Sequence, residues 1–376
     1  MKSLFLKLIG PAPIKEPVHV TRDALSEIRK LAERRGLLML LHKRLTENIA
    51  VIEPKEEVER FIEETRPLRY VTIARSIRQE NVGKEILRLL GRAGIPAVVL
   101  KGNSIARNLY GDPYCRSSSD IDLLIRRSDV IPADAALRGI GCLRDDPLPL
   151  MFWLNRVHHA VYVYPDTRDL IEIHWDFGIP SYFRLASDDI WAEVVFDASG
   201  NPGFSMEMDV IQLLIHHHMH AFRELKILVD ILWALHKYDS RMDWNAFAGR
   251  LRKLGLLKTA MITLAQINSV WKDIGGEMDC IKTLGQAFRY MRCGLPGYLL
   301  SYFRMEIERE YCFQSNGDKF MSRFALDGAA TVCLSFLKSF FPMPDDIKAL
   351  YRDRRGWALP FNYSRFITWR LTEWRK

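Results

Sequence analysis

The sequence predicts an α+β protein, a small mixed β-sheet flanked by N-terminal and C-terminal helical regions. Three observations carry this. Apolar residues recur at helical spacing over 22–94, broken at Gly36. Between 95 and 175 come four short runs rich in β-branched residues, IPAVVL, DIDLLI, HAVYVY and DLIEIHW, punctuated by turn-forming residues. From about residue 205 the helical spacing returns and persists. The 376 residues therefore divide into an N-terminal helical region (1–85), a sheet-bearing core (86–200) and a C-terminal helical region with a basic, aromatic tail (201–376).

Taken in order, residues 22–48 and 55–94 read as helices, the second stopping at Gly94. IPAVVL (95–100) reads as a buried strand, and KGNSIARNLYG (101–111) as a turn followed by a short helix. DIDLLI (120–125) is the next strand. SDVIPADAALRGIG (128–141) is a helix with Ser128 or Asp129 as its N-cap. HAVYVY and DLIEIHW flank PDTR as two strands of a hairpin.

Composition excludes several classes. With 48% hydrophobic and 27% charged residues, the chain is globular rather than disordered. No apolar run reaches the ~18 residues of a membrane span. Lys7 and two following prolines argue against a signal peptide, so a cytoplasmic location is expected. Six scattered cysteines without a C-x-x-C pair argue against a disulfide framework or a zinc knuckle. The net charge of +8 suits an anionic partner such as a nucleotide, a nucleic acid or phosphate.

The chemistry begins at RSSSDIDLLI (116–125). On a strand, Asp120 and Asp122 share one face while Ile121, Leu123 and Ile125 share the other. Two adjacent carboxylates repel each other, and a divalent cation between them offsets that repulsion. Mg²⁺ takes one or two carboxylates plus substrate phosphates, the arrangement of phosphoryl and nucleotidyl transfer. Upstream, Lys101-Gly102-Asn103-Ser104 joins a strand to a helix N-terminus, a turn at which backbone N–H groups can approach a phosphate. Downstream, Glu172 and His174 share a strand face opposite Ile171 and Ile173, which makes Glu172 a candidate third carboxylate. Asp166, Asp169 and Asp176 are its weaker rivals, the first two lying in the turn.

The block VVLKGNSIARNLYGDPYCRSSSDIDLLI, with IEIHW and the His-x-x-x-His…Asp of HHHMHAFRELKILVDIL, resembles the bacterial uncharacterised nucleotidyltransferases of the DNA polymerase beta-like superfamily. That resemblance implies a nucleotidyltransferase core in which Asp120 and Asp122 hold Mg²⁺ (or Mn²⁺). It implies that Glu172 completes a metal shell or acts as base on the acceptor hydroxyl, and that Gly102 and Ser104 contact the β- and γ-phosphates. To these we add Lys101 and Arg116 as cations beside the triphosphate.

In HHHMHAFRELKILVDILW (216–233), a continuous helix would align His216, His220, Arg223 and Asp230 in one polar stripe. The expected role is packing against the catalytic domain, with Asp230 neutralising a His or Arg. With His174, the stripe is also a candidate cleft wall. His-x-x-x-His can ligate zinc, but no third-ligand motif accompanies it, and His217 and His218 read as incidental. Trp175, Trp191 and Trp233 read as core. Residues 348–376 carry eight basic and two acidic residues interleaved with aromatics, which suits a nucleic acid, an anionic membrane surface or a docked amphipathic helix. The resulting expectation is transfer of a nucleoside monophosphate from an NTP such as ATP to an acceptor that is a small molecule, peptide, protein or RNA. The alternatives are a toxin-like enzyme modifying tRNA and a non-catalytic nucleotide-binding module.

Overall fold

The computed structural model describes residues 1–145, 149–154, 156–196, 202–271, 278–291, 295–304, 316–340, 347, 351 and 362–368. At the N-terminus, α1 (Lys2–Ile9), α2 (Arg22–Arg34) and α3 (Leu38–Glu47) pack together, and a two-residue parallel pair joins β1 (Val18–His19) to β2 (Ile52–Glu53). Thr21 caps α2 by accepting from the Ala24 N–H, and Leu25, Ile28, Leu31 and Ala32 form its buried stripe. Helix α4 (Lys55–Arg92) follows, 38 residues and so about 57 Å long. It ends where Gly94 takes φ +72°, as the sequence suggests.

Five strands make the central sheet in the order β3 (Ala97–Val99), β4 (Asp120–Ile125), β7 (Leu170–His174), β6 (His159–Val163) and β5 (Leu143–Arg144). It is mixed: β4 and β7 pair in parallel, and every other neighbouring pair is antiparallel. Helix α5 (Asn103–Tyr110) joins β3 to β4, and α6 (Val130–Gly139) joins β4 to β5. Neither Ser128 nor Asp129 caps α6 with its side chain; a 3₁₀ turn over Arg127–Asp129 leads into it instead. As expected, period-2 alternation sorts the strand faces. Ile121, Leu123, Ile125, Ile171, Ile173 and Trp175 enter one core with Val82, Ile86 and Leu90 of α4 and Val130, Ala133 and Leu137 of α6. The opposite face carries Asp120, Asp122, Glu172 and His174.

Among the described residues the remaining elements are helices apart from a small hairpin, β8 (Val194–Phe196) with β9 (Pro202–Phe204), which the sequence reading missed along with β5. Short α7 (Leu150–Trp153) and α8 (Ser187–Ala192) precede α9 (Met206–Met219), α10 (Leu225–Tyr238), α11 (Trp244–Leu254) and α12 (Leu257–Trp271). Then come α13 (Asp279–Tyr290), α14 (Gly297–Tyr302), α15 (Asn316–Ser322) and α16 (Ala329–Phe340). Helix α9 is apolar nearly all round and correspondingly buried at the centre. No described helix is long and apolar enough to cross a membrane. Cys115, Cys142, Cys280 and Cys333 are free thiols. Trp175 is core, and Trp233 packs on the main core and donates to the Ile9 carbonyl. Much of 348–376 lies outside the described residues; within 362–368, a helical stretch, Phe366 is buried against Ile347.

The expected stripe on a continuous helix 216–233 is corrected. The helix breaks between α9 and α10 because Ala221 and Phe222 both take positive φ, +50° and +59°. Burial of Phe222, with its carbonyl accepting from Gln266 Nε2, anchors the break. Arg223 therefore pairs with Asp318 of α15 at 2.9 Å, and Asp230 faces elsewhere.

His217 and His218 are not incidental. Both are buried, bonded to Gln266 Oε1 at 2.7 Å and Thr259 Oγ1 at 2.9 Å. Burial lowers His217 to about 4 and His218 to about 3. A folded-state pKa below the unfolded one means that the stability contribution is complete above pH 6.5 and drains as the pH falls toward 4 and 3. At pH 5 each imidazole is expected to withhold about 2 kcal/mol. Thermal melts from pH 7.5 to 5 should show this as a falling Tm, with a shallower fall in His218→Asn. An identical pH slope in that variant would contradict the assignment.

Candidate functional site

The site is built on the polar face of β4 and β7. Their parallel register sets Asp122 directly opposite Glu172 and Leu124 opposite His174. Asp122 is 5% exposed and receives two contacts on Oδ1: Lys101 Nζ at 3.0 Å and His174 Nε2 at 2.8 Å. His174 Nε2 also lies 3.1 Å from Glu172 Oε2. Asp120, at the open end of β4, accepts from Ser118 Oγ at 2.9 Å and Ser119 Oγ at 3.0 Å.

These contacts divide the carboxylates electrostatically. Burial and the repulsion of Asp122 and Glu172 raise the pKa of Asp120. Burial also pushes Asp122 upward, but Lys101 and His174 outweigh it and hold the carboxyl below its usual range. Burial opposes ionisation of Glu172 too, but the His174 hydrogen bond together with the nearby His159 and His174 rings outweighs it, so its pKa is lowered. Against burial and Lys101, the two carboxylates raise the pKa of His174. The floor of the site is thus a hydrogen-bonded Lys–Asp–His–Glu chain, with Asp120 as the carboxylate whose pKa is raised.

The surrounding elements fix this floor. Gln212 of α9 donates to the Leu100 carbonyl at 3.1 Å, gripping the backbone just before Lys101. Gly102 takes φ +70° and ψ −127°, a conformation open to glycine and strained for other residues, and a Cβ there would lie 3.6 Å from Ser118. On the outer side, Arg78 of α4 clamps Asp169 with two bonds of 2.9 Å, and Arg75 reaches the Ser119 carbonyl at 3.4 Å. Asp169, one of the rivals to Glu172, is therefore the buried end of a brace.

Above the floor lies a cleft of ≈ 510 Å³. The structure brings Lys101, Arg116, Asp120, Asp122, Glu172, His174, His216 and His220 to its walls. Arg116 is buried and ion-paired through Nε to Asp230 Oδ2 at 2.9 Å, and the Tyr110 hydroxyl donates to the other oxygen of Asp230. Asp230 thus neutralises an arginine, as the sequence suggests, but from beneath the wall. Arg223 and Ser104 do not line the cleft, and Ser104 is exposed on α5. Beside Gly102 and Asp120 stands Ser118 instead. His216 and His220 stack edge-on at 4.5 Å, and neither joins a group of three metal-capable side chains among the described residues.

Sequence reasoning missed several lining residues. His158 and His159 enter from the start of β6, Lys226 from α10, and Lys319, Ser322 and Arg323 from α15 and its end. The histidine doublet was visible beside a predicted strand, but only the register places it at the site. No sequence signal marked α15.

The donor set fits a divalent cation. Asp120, Asp122 and Glu172 supply hard oxygens, and Asp122, Glu172 and His174 form one of two described groups whose ligand atoms all lie within 4.8 Å of one another. Comparison with curated proteins and with solved structures finds no match. A family model described as "Uncharacterised nucleotidyltransferase" matches residues 23–272, from α2 through α12, and so takes in the whole sheet, both aspartates, Glu172 and the Arg116–Asp230 pair. With two thirds of its length matched, the chain belongs to the uncharacterised nucleotidyltransferase family.

Proposed function

We propose that the protein transfers a nucleoside monophosphate from an NTP to an acceptor hydroxyl with Mg²⁺ or Mn²⁺ held by Asp120 and Asp122. The supporting observation is the parallel register that puts Glu172 opposite Asp122 on the polar face at the floor of a cationic cleft. When bound, the cation neutralises the aspartates and the phosphate charge that builds up during transfer. The acceptor hydroxyl attacks the α-phosphorus and gives up its proton to solvent, the bond to the β-phosphate oxygen breaks, and pyrophosphate leaves.

The chain's own groups divide the remaining work. Lys101, Arg116, Lys226, Lys319 and Arg323 place five cations around the cleft for the triphosphate. The Gly102 turn and Ser118 bring small polar groups to the same edge, while Asn103 is tied to Glu80 at 3.2 Å. Glu172 is held ionised by His174. A carboxylate with a lowered pKa is a weak general base, so Glu172 orients and balances charge rather than storing the acceptor proton. His216 and His220 line the cleft, and partial burial together with the nearby Lys101 lowers both imidazole pKa values, His220 to about 3.

Incubation with each labelled NTP and Mg²⁺, with and without cell extract, tests the reaction: label should move to an acceptor only with the divalent ion present. Glu172→Gln should keep measurable Mg²⁺·NTP binding yet slow transfer by roughly 10²-fold. Unchanged turnover in that variant would remove Glu172 from the site.

A further inference from the structure

We propose that His158, His159 and His174 form a binding site for a borderline-soft divalent ion of the Zn²⁺ class, beside the oxygen-ligand pair. The antiparallel register of β6 with β7 puts His159 directly opposite His174. His158 precedes β6, and its carbonyl accepts from the Trp175 N–H at 2.9 Å, which extends the pairing by one residue. The three rings converge, with centroids 4.5, 4.9 and 5.6 Å apart. Each offers a ring nitrogen within 4.8 Å of the other two.

Hydrogen bonds to Asp122 and Glu172 account for the placement of His174 but not for that of His158 and His159. The Nδ1 atoms of His158 and His159 are buried without a hydrogen-bond partner among the described residues. An orphaned buried nitrogen is unfavourable, and three imidazoles on one point have little to offer one another. A cation supplies what they lack. Three histidines with a fourth, open position make a common catalytic zinc arrangement, and here all three residues line the cleft. Glu172 Oε1, 3.9 Å from His159 Nε2, is an oxygen donor at the edge of the set. Nitrogen donors select Zn²⁺, Co²⁺ or Ni²⁺ over Mg²⁺, whereas Asp120 and Asp122 offer only oxygen. The cleft would then hold two chemically distinct cations, and the nitrogen-bound one would offer its open position to an acceptor hydroxyl or a phosphate oxygen.

The test uses full-length, tag-free protein stripped with a chelator and titrated with Co²⁺ in the absence of nucleotide. One equivalent should bind with visible ligand-field absorption, be displaced by Zn²⁺, and resist excess Mg²⁺. His159→Ala should weaken binding about tenfold or more, with His158→Gln as a second variant and thermal melts verifying that each is folded. The proposal is overturned if wild type shows no such absorption, if Mg²⁺ displaces Co²⁺ as readily as Zn²⁺ does, or if both folded variants bind like wild type. Because no NTP is present, such a failure would leave the transfer reading standing.

Discussion

Asp122→Asn is expected to lose transfer by roughly 10²-fold or more and to melt at a lower temperature than wild type. Asp122 is 5% exposed and is the shared partner of Lys101 and His174. An amide there leaves a lysine, 12% exposed at its side chain, without its carboxylate. Asp120→Asn should lose transfer to a similar degree but melt at an equal or higher temperature. Its carboxyl is the one raised by burial and by repulsion from Asp122 and Glu172, so neutralising it relieves the folded state. Equal losses of activity with opposite changes in melting separate a shared chemical role from a shared structural one. Single-turnover transfer and thermal melts on the two variants make the comparison. Near wild-type transfer in either would refute the assignment of the aspartate pair.

The largest effect on stability is expected at Asp230, far from the aspartate pair in sequence. Asp230→Ala leaves the buried Arg116 guanidinium without its counter-charge and the Tyr110 hydroxyl without its acceptor. Breaking a buried pair from one side is destabilising by about 3–5 kcal/mol. Urea unfolding should show this as a lower midpoint. Arg116→Met combined with Asp230→Leu should recover much of the loss, since an apolar pair leaves no stranded charge. A loss under about 1 kcal/mol in the single variant would mean that the pair does not hold the wall in place.

What the sequence disclosed follows from what is local. The faces of β4 and β7 were legible because alternation is a property of neighbouring residues: four isoleucines and a leucine on one side oblige Asp120, Asp122 and Glu172 to take the other. The long helix α4 and its stop at Gly94 were legible for the same reason. The break after α9 was not, because Ala221 and Phe222 are not residues that announce positive φ; the distant Gln266 and the pocket around Phe222 impose it. That Arg116 is the group Asp230 neutralises could not be read, since the two are 114 residues apart. Ser118 stood in the quoted motif, yet only the folded turn shows that it, and not Ser104, faces Asp120. His158 and His159 were hidden by the same ignorance of register.

The parallel pairing of β4 with β7 also has a consequence in time. Parallel neighbours cannot be joined by a tight turn, and here α6, β5 and β6 intervene between Asp122 and the residue opposite it. Until the ribosome has released His174, a nascent chain holds two adjacent aspartates with neither His174 nor Glu172 beside them. Lys101, already made, is their nearby cation. Pairings of such separation form slowly relative to helices, so the N-terminal helices can be in place while the floor of the cleft is still open. Chains arrested within the β5–β6 segment have α4 and α6 to cover the apolar side of β4 but leave its β7-facing edge unpaired, and should be candidates for chaperone capture and strand-edge aggregation.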